Sequence, residues 1–358
     1  MDSSTLSFDN LQTESGVQTH LQFLKQRFNL ELKVLDKAEG GKRQSHTPLG
    51  PIKEYQFVKE DKVIAHHHFI PVENIFHEKL VRGLQLSNAW VDEKYRGFGL
   101  LPALVWAGIH ALKAEGFKFI YAFPNQNNFQ VLCRSCYMQH LGTPDLLILP
   151  LKIDNILKKK KWIELHFLTK FLNLTLFYRN RKYRAITKSH YQIKSVSHIP
   201  SDIDVLILKN KFLKPVRFVR NYIQLNWRYQ HPDYLKIECR NSESQLVGFL
   251  ISRQDKKEGL IVCGLIDYYL DRNLSNWNEA LEDMLKLFFK MNQQADLLAL
   301  LINPNDQDYS LWTKYGFMRL NTLKYGRSFW MVYKSLDGKQ LPSFQDVHLS
   351  FYDSLDTY

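Results

Sequence analysis

Val91-Asp92-Glu93-Lys94-Tyr95-Arg96-Gly97-Phe98-Gly99-Leu100-Leu101-Pro102-Ala103-Leu104 leaves an apolar strand, passes two glycines and enters a helix. Glycine has no Cβ, so positions 97 and 99 allow left-handed turns and a close approach of the main chain to a ligand. Leu101, Leu104, Val105, Ile109 and Leu112 recur at helical spacing over 99–115. Gly116 follows where helices commonly end in a left-handed residue. The first N–H groups of such a helix lack intrahelical partners, and the helix dipole adds positive potential there. The turn is therefore suited to a phosphate. A plain strand-to-helix turn is the bland alternative.

Outward from this turn, strands are expected over 55–59, 62–70 and 80–91 on one side and over 118–123 and 146–151 on the other. A second helix is expected over 128–140. Before residue 50 the chain reads as weakly ordered, with a short helix at 19–28. The second half repeats the order in outline: strands at 245–252 and 260–269, a helix at 277–292, a strand at 296–302, a helix at 306–315 and a strand at 328–334. This order predicts an α/β protein with an internal duplication. Three segments follow: an N-terminal domain over 1–150, a connecting segment over 151–210, and a C-terminal domain over 211–358.

The chain has 358 residues, 45% of them hydrophobic and 23% charged, which fits globular domains and excludes disordered or fibrous classes. No apolar run approaches the roughly 20 residues that span a bilayer, and the first residues carry no apolar leader. With four cysteines in this length, a reducing, cytoplasmic setting is expected. The net charge is +12, but eleven basic residues and only two acids fall between Leu151 and His190. That segment interleaves Trp162, Phe167, Phe171, Phe177 and Tyr178 with its lysines and arginines. An interdomain helix with solvated lysines explains it. Peripheral contact of 156–184 with an anionic membrane is the sharper reading, and nucleic-acid contact is less favoured.

The element order around the glycine turn resembles the GNAT superfamily of acyl-CoA-dependent N-acetyltransferases. Val91, the turn 96–101, Leu104, Pro124-Asn125-Gln126-Asn127-Asn128 and Leu141-Gly142 carry the resemblance. It implies two GNAT-like domains, each a mixed, mostly antiparallel sheet flanked by helices, with acetyl-CoA as co-substrate. By resemblance, Arg96, Gly97, Phe98, Gly99, Leu100 and Leu101 hold the coenzyme diphosphate. Ala89 and Val91 offer main-chain groups to the pantetheine arm or acyl carbonyl, Asn125 and Asn128 belong to the coenzyme site, and Tyr137 is the acid that protects the leaving thiolate. Tyr137 stands five residues before Gly142 where the family has four. The reaction implied is direct acetyl transfer to a small-molecule or peptide amine, an amino sugar or sugar nucleotide among them. A FemABX-like aminoacyl transferase and a non-catalytic scaffold stay open as alternatives.

In the second half, Asn305, Trp312 and Gly316-Phe317 echo the same pattern faintly. The counterpart turn, Leu270 to Trp277, has no glycine and places Asp271 where a polyanion would be repelled. Coenzyme binding is not expected there. His66-His67-His68 invites a metal reading, but adjacent strand side chains face opposite ways, so only His66 and His68 can converge. With no acidic or thiol partner at a telling spacing, no metal is expected. A histidine touching substrate or serving as base is preferred, with Glu78 the other candidate base. Cys133 and Cys136 lie in helical periodicity and read as core. The tail 351–358 is acidic and aromatic, either a cap over a cleft or a frayed end.

Overall fold

The computed structural model describes residues 8–36, 46–159, 173, 176, 189–210, 214–257, 259–320, 329–339 and 341–354. The basic segment singled out above lies almost wholly outside the described residues. Among these, no helix is long and apolar enough to cross a membrane.

The first half opens with α1 (Glu14–Phe28), longer than the helix expected at 19–28. Thr13 explains the earlier start: its Oγ1 accepts the Gly16 N–H at 3.1 Å and caps the helix. Strands β1 (Glu31–Asp36), β2 (Lys53–Lys59), β3 (Lys62–Phe76) and β4 (Lys79–Val91) follow as an antiparallel run. β3 continues six residues past its expected end, straight through Pro71. β2 pairs with β3 only as far as Lys53–Phe69, and the next neighbour on that side, β9 (Val216–Phe218), joins at Asn74. Pro71 therefore lies in a gap where no ladder N–H is needed.

Helix α2 (Leu100–Ala114) is followed, one residue past its C-cap Glu115, by Gly116, which is left-handed at φ 91° as expected. Next come β5 (Phe119–Ala122), α3 (Gln126–Ser135), β6 (Gln139–Gly142) and β7 (Asp145–Pro150). Here the expected helix over 128–140 is corrected. It stops at Ser135, Tyr137 reverses the chain with a left-handed backbone (φ 53°), and Gln139–Gly142 is a strand. The short α4 (Asp154–Lys159) closes the half.

The second half contains β8 (Gln192–Val196), α5 (Ile203–Lys209), β9, α6 (Tyr222–Tyr229), β10 (Tyr234–Arg240), β11 (Leu246–Lys257) and β12 (Leu260–Leu270). It ends with α7 (Trp277–Met291), β13 (Leu297–Ile302), α8 (Tyr309–Lys314), β14 (Met318–Leu320) and β15 (Met331–Ser335). Two large sheets result, ordered β1-β2-β3-β4-β5-β15-β6, with β9 on β3, and β8-β10-β11-β12-β13-β7-β14, beside a two-residue ribbon of His46–Thr47 with Gly50–Pro51. Each large sheet has one parallel pair, β4 with β5 and β12 with β13. The last strand of each half lies in the other half's sheet: β7 between β13 and β14, β15 between β5 and β6.

Three apolar clusters hold this arrangement. α1 and α2 pack on one face of the first sheet through Leu104, Ile109, Ala65, Phe69 and Leu84. α7 covers the second sheet through Leu281, Met284 and Phe288. The third cluster joins the opposite faces of the two sheets, with Val72 and Tyr121 from the first and Ile251, Tyr269 and Leu301 from the second. Each sheet thus has a helix face and an inner face, and the inner faces meet.

Candidate functional site

β4 and β5 pair at Gly83–Phe119, Leu84–Ile120 and Gln85–Tyr121, and then part. β4 runs on to Val91 while β5 ends at Ala122, so a cleft opens between them. Beside the cleft β4 bulges: its pairing with β3 jumps from His66–Trp90 to His68–Ser87, and Asn88 is left-handed at φ 50°. Ala89 and Val91 follow the bulge, both half-buried against the helix-face core. The Asp92 N–H bonds the Ile64 carbonyl on β3 at 2.9 Å. One residue earlier, the groups of Val91 must therefore point to the open side. Arg96 Nε donates to the Val91 carbonyl at 3.2 Å, which leaves the Val91 N–H toward the cleft.

The glycine turn stands at the end of this strand. Gly97 and Gly99 are left-handed at φ 85° and 75°. Gly99 is the N-cap of α2, and no side chain caps the helix. Leu100 and Leu101 are buried, so only their main chain is on offer to a ligand. Phe98 packs against the Phe28 ring, with centroids 4.7 Å apart and the rings tilted at 55°, and fixes the turn against α1. Arg96 braces the turn through Val91 and through Glu93, 3.3 Å from its Nη1. The Asn125 side chain accepts the Asn128 N–H at 3.0 Å, so this pair caps α3. Tyr137 lies beyond α3, half-buried on the helix face beside Trp106 (6.5 Å between centroids). Lys334 Nζ donates to its carbonyl and stands 5.9 Å from its ring.

On the inner face, the strand register brings together groups that the sequence left apart. Glu54 pairs with His68 and Gln56 with His66. Glu54 Oε1 is 3.2 Å from His66 Nδ1, and Oε2 is 3.3 Å from His68 Nε2. Gln56 Nε2 donates to Glu54 Oε1 at 2.8 Å. Burial alone would raise the Glu54 pKa. The Gln56 hydrogen bond and the two imidazoles outweigh it and hold the carboxyl below its usual range. Asn88 Nδ2 lies 3.2 Å from His68 Nδ1, which ties this trio to the bulge beside the cleft. His67 faces the other way, as alternation requires. Its Nδ1 contacts the Ser87 carbonyl at 2.8 Å, and burial lowers its pKa to about 4. Glu78 sits in the β3–β4 turn with φ 67°. The β4 bulge is some ten residues away along the strand, roughly 30 Å.

The counterpart region of the second half is closed by its own chain. The Asp271 side chain accepts the Asn273 N–H at 3.0 Å and pairs with Lys209 Nζ at 3.0 Å. Arg272 bonds Asp308 and stacks on Trp277 at 4.0 Å. Trp312 is fully buried and donates to Tyr268 Oη. The splay of β12 from β13 is filled by the C-terminal segment: His348, Leu349 and Ser350 line the small space left beside Ile266 and Asp306. The segment goes on to the first cleft, where the Asp353 carbonyl accepts from Tyr121 Oη (3.2 Å) and Gln85 Nε2 (3.4 Å). The tail thus caps the apex of the first cleft as far as Ser354. Residues 355–358 lie outside the described residues.

No protein-family model matches this chain, and no curated protein matches its sequence. Solved structures do match its fold. The GCN5-related N-acetyltransferase from Anabaena variabilis aligns with 90% of this chain and 71% of its own at 12% identity, with a TM-score of 0.56. Saccharomyces cerevisiae N-myristoyltransferase with bound myristoyl-CoA aligns with 90% of this chain and 76% of its own, at 11% identity and a TM-score of 0.54. A tandem GNAT protein from the clavulanic acid biosynthesis pathway is covered over its full length by 87% of this chain, at 9% identity and a TM-score of 0.52. The chain has the fold of two GNAT-like domains in tandem.

Proposed function

We propose that the protein is an acyl-CoA-dependent N-acyltransferase whose first half holds the coenzyme. The observation that carries this reading is the uncapped, doubly left-handed turn at Gly97 and Gly99, placed where β4 parts from β5. Main-chain amides of 97–101 bind the diphosphate, with the α2 dipole behind them. The pantetheine arm lies along Ala89 and Val91, and the Val91 N–H is aimed to hold the oxyanion as the amine attacks the thioester. Tyr137 is the candidate acid for the departing thiolate, on the same face as α2.

The acceptor amine approaches from the inner face, which presents Gln56, His66 and the 43% exposed Trp90. Polar groups beside an exposed indole suit an amino sugar or sugar nucleotide, and acetyl-CoA is the donor to test first. The second half shapes this side and binds no coenzyme. Calorimetry with acetyl-CoA tests the reading. Wild type binds one equivalent, whereas Gly99→Glu, which strains a left-handed position and adds a carboxylate, weakens binding by at least about tenfold, or roughly 1.4 kcal/mol. Flat titration of wild type with acetyl-CoA and longer acyl-CoAs would overturn it. A thiol-release screen over amine acceptors then identifies the second substrate.

A further inference from the structure

We infer that Glu54, His66 and His68 form a binding site for one divalent transition-metal ion, with zinc the ion its donors favour. One ligand atom from each residue lies within 4.8 Å of the others. Glu54 approaches the two imidazoles through different oxygens, Oε1 to His66 Nδ1 at 3.2 Å and Oε2 to His68 Nε2 at 3.3 Å, each close to the edge, about 3.3 Å, of a tetrahedron with metal–ligand bonds of about 2.0 Å. Two imidazoles and one carboxylate are a zinc donor set of the kind that leaves a fourth position open.

Two further observations favour an ion over a plain hydrogen-bonded trio. His66 Nδ1 is buried and makes no hydrogen bond among the described residues, although the Glu54 carboxylate is 3.2 Å away. Its nitrogen faces the cluster without the geometry to donate to it. The outer partners of a metal site are also in place. Gln56 holds Glu54 Oε1, and the Asn88 side-chain amide lies 3.2 Å from the far nitrogen of His68, where its oxygen, with the amide turned over, accepts the Nδ1–H that an imidazole ligating through Nε2 carries. His67, between the two ligands in sequence, points to the helix face and takes no part.

The site belongs to the inner face beside the β4 bulge, and its existence does not depend on the transferase reading. The test uses the full chain stripped with a chelator, then titrated with zinc against a chromophoric competitor. One ion per chain is expected, with affinity reduced by at least about 100-fold in His68→Ala and Glu54→Gln. Asn88→Ala, which removes an outer partner, reduces it by roughly 10- to 100-fold, and His140→Ala, an exposed histidine on β6, leaves it unchanged. Cobalt in the same site gives the strong visible absorption of a four-coordinate ion. Circular dichroism checks that each variant is folded, and Glu54→Gln and Asn88→Ala serve should the histidine variants unfold. Absence of one-to-one binding to wild type, or equal affinity in folded Glu54→Gln and Asn88→Ala, overturns the inference. Coenzyme binding without metal is measured separately and bears only on the transferase reading.

Discussion

Arg220 shows how one side chain fastens the tail. It is buried, with Nε donating to Asp267 at 2.7 Å and Nη2 to Asp353 at 2.9 Å and to Ser350 at 3.0 Å. Its guanidinium also lies 4.5 Å from the centre of the Tyr352 ring. Burial works against its charge, but Asp267 and Asp353 outweigh that and keep it protonated. Arg220→Met would leave two carboxylates buried beside each other without their cation. The expected loss is about 3–5 kcal/mol in urea unfolding, together with release of the tail to carboxypeptidase. A change below about 1 kcal/mol would show that the tail is held by its apolar contacts alone. None of this was legible in the sequence. The contacts of Arg220 with Asp267 and Asp353 span 47 and 133 positions, and an acidic, aromatic terminus is compatible with either a cap or a frayed end. Glu54 was missed for a more local reason. An unbroken hairpin about Glu60-Asp61 pairs Glu54 with His67 and leaves His66 and His68 on the opposite face. A register shift at Phe57 and Val58 inserts one extra residue in β3, so His66 and His68, in place of His67, come onto the face that carries Glu54.

Among the elements, α2 was the most legible, because apolar spacing, a glycine start and a glycine stop agree along its length. α3 was not, since the left-handed backbone at Tyr137 has no residue-type signal: Tyr is neither glycine nor asparagine. α2 also packs closely on the sheet near the site, at Gly108. A Cβ on Gly108 would fall 2.2 Å from the Phe69 ring, which is fully buried and packed on Tyr55 at 5.0 Å. Gly108→Ala therefore sets two effects against each other. Alanine gains up to about 1 kcal/mol of helix propensity, while overpacking against a ring with nowhere to go costs about 1–3 kcal/mol. Packing should win, giving a net loss of about 1–2 kcal/mol in denaturant unfolding. Because α2 then rides away from the sheet, acetyl-CoA affinity should fall with it. A variant more stable than wild type would mean that Phe69 can swing aside and that the helix is not pinned there.

For the molecule as a whole, the decisive feature is the exchange of closing strands. Each half read alone gives the strand pair, helix, strand, helix and closing strand that make the duplication visible, but misses β1, β6, β8, β9, β10, β14, α5 and α6. Nothing in Asp145–Pro150 or Met331–Ser335 says which sheet it will enter, because both are short strands whose apolar residues suit either sheet. The inner-face core draws on both halves, and neither completes it alone. A fragment of residues 1–150 lacks β15, leaving Phe119, Ile120, Tyr121 and Ala122 of β5 without their partner and β6 detached. It also carries β7, whose buried Leu147 and Leu149 belong to the second sheet's core. Expressed alone, 1–150 should aggregate or melt without a cooperative transition, as should 151–358, because each presents an unpaired apolar edge. Expressed together, the two should copurify as one soluble species that unfolds cooperatively and binds acetyl-CoA within about tenfold of the intact chain, the loss reflecting only looser association. If 1–150 alone folds cooperatively and binds the coenzyme as tightly as the full chain, the exchanged strand is dispensable and the two halves are independent domains.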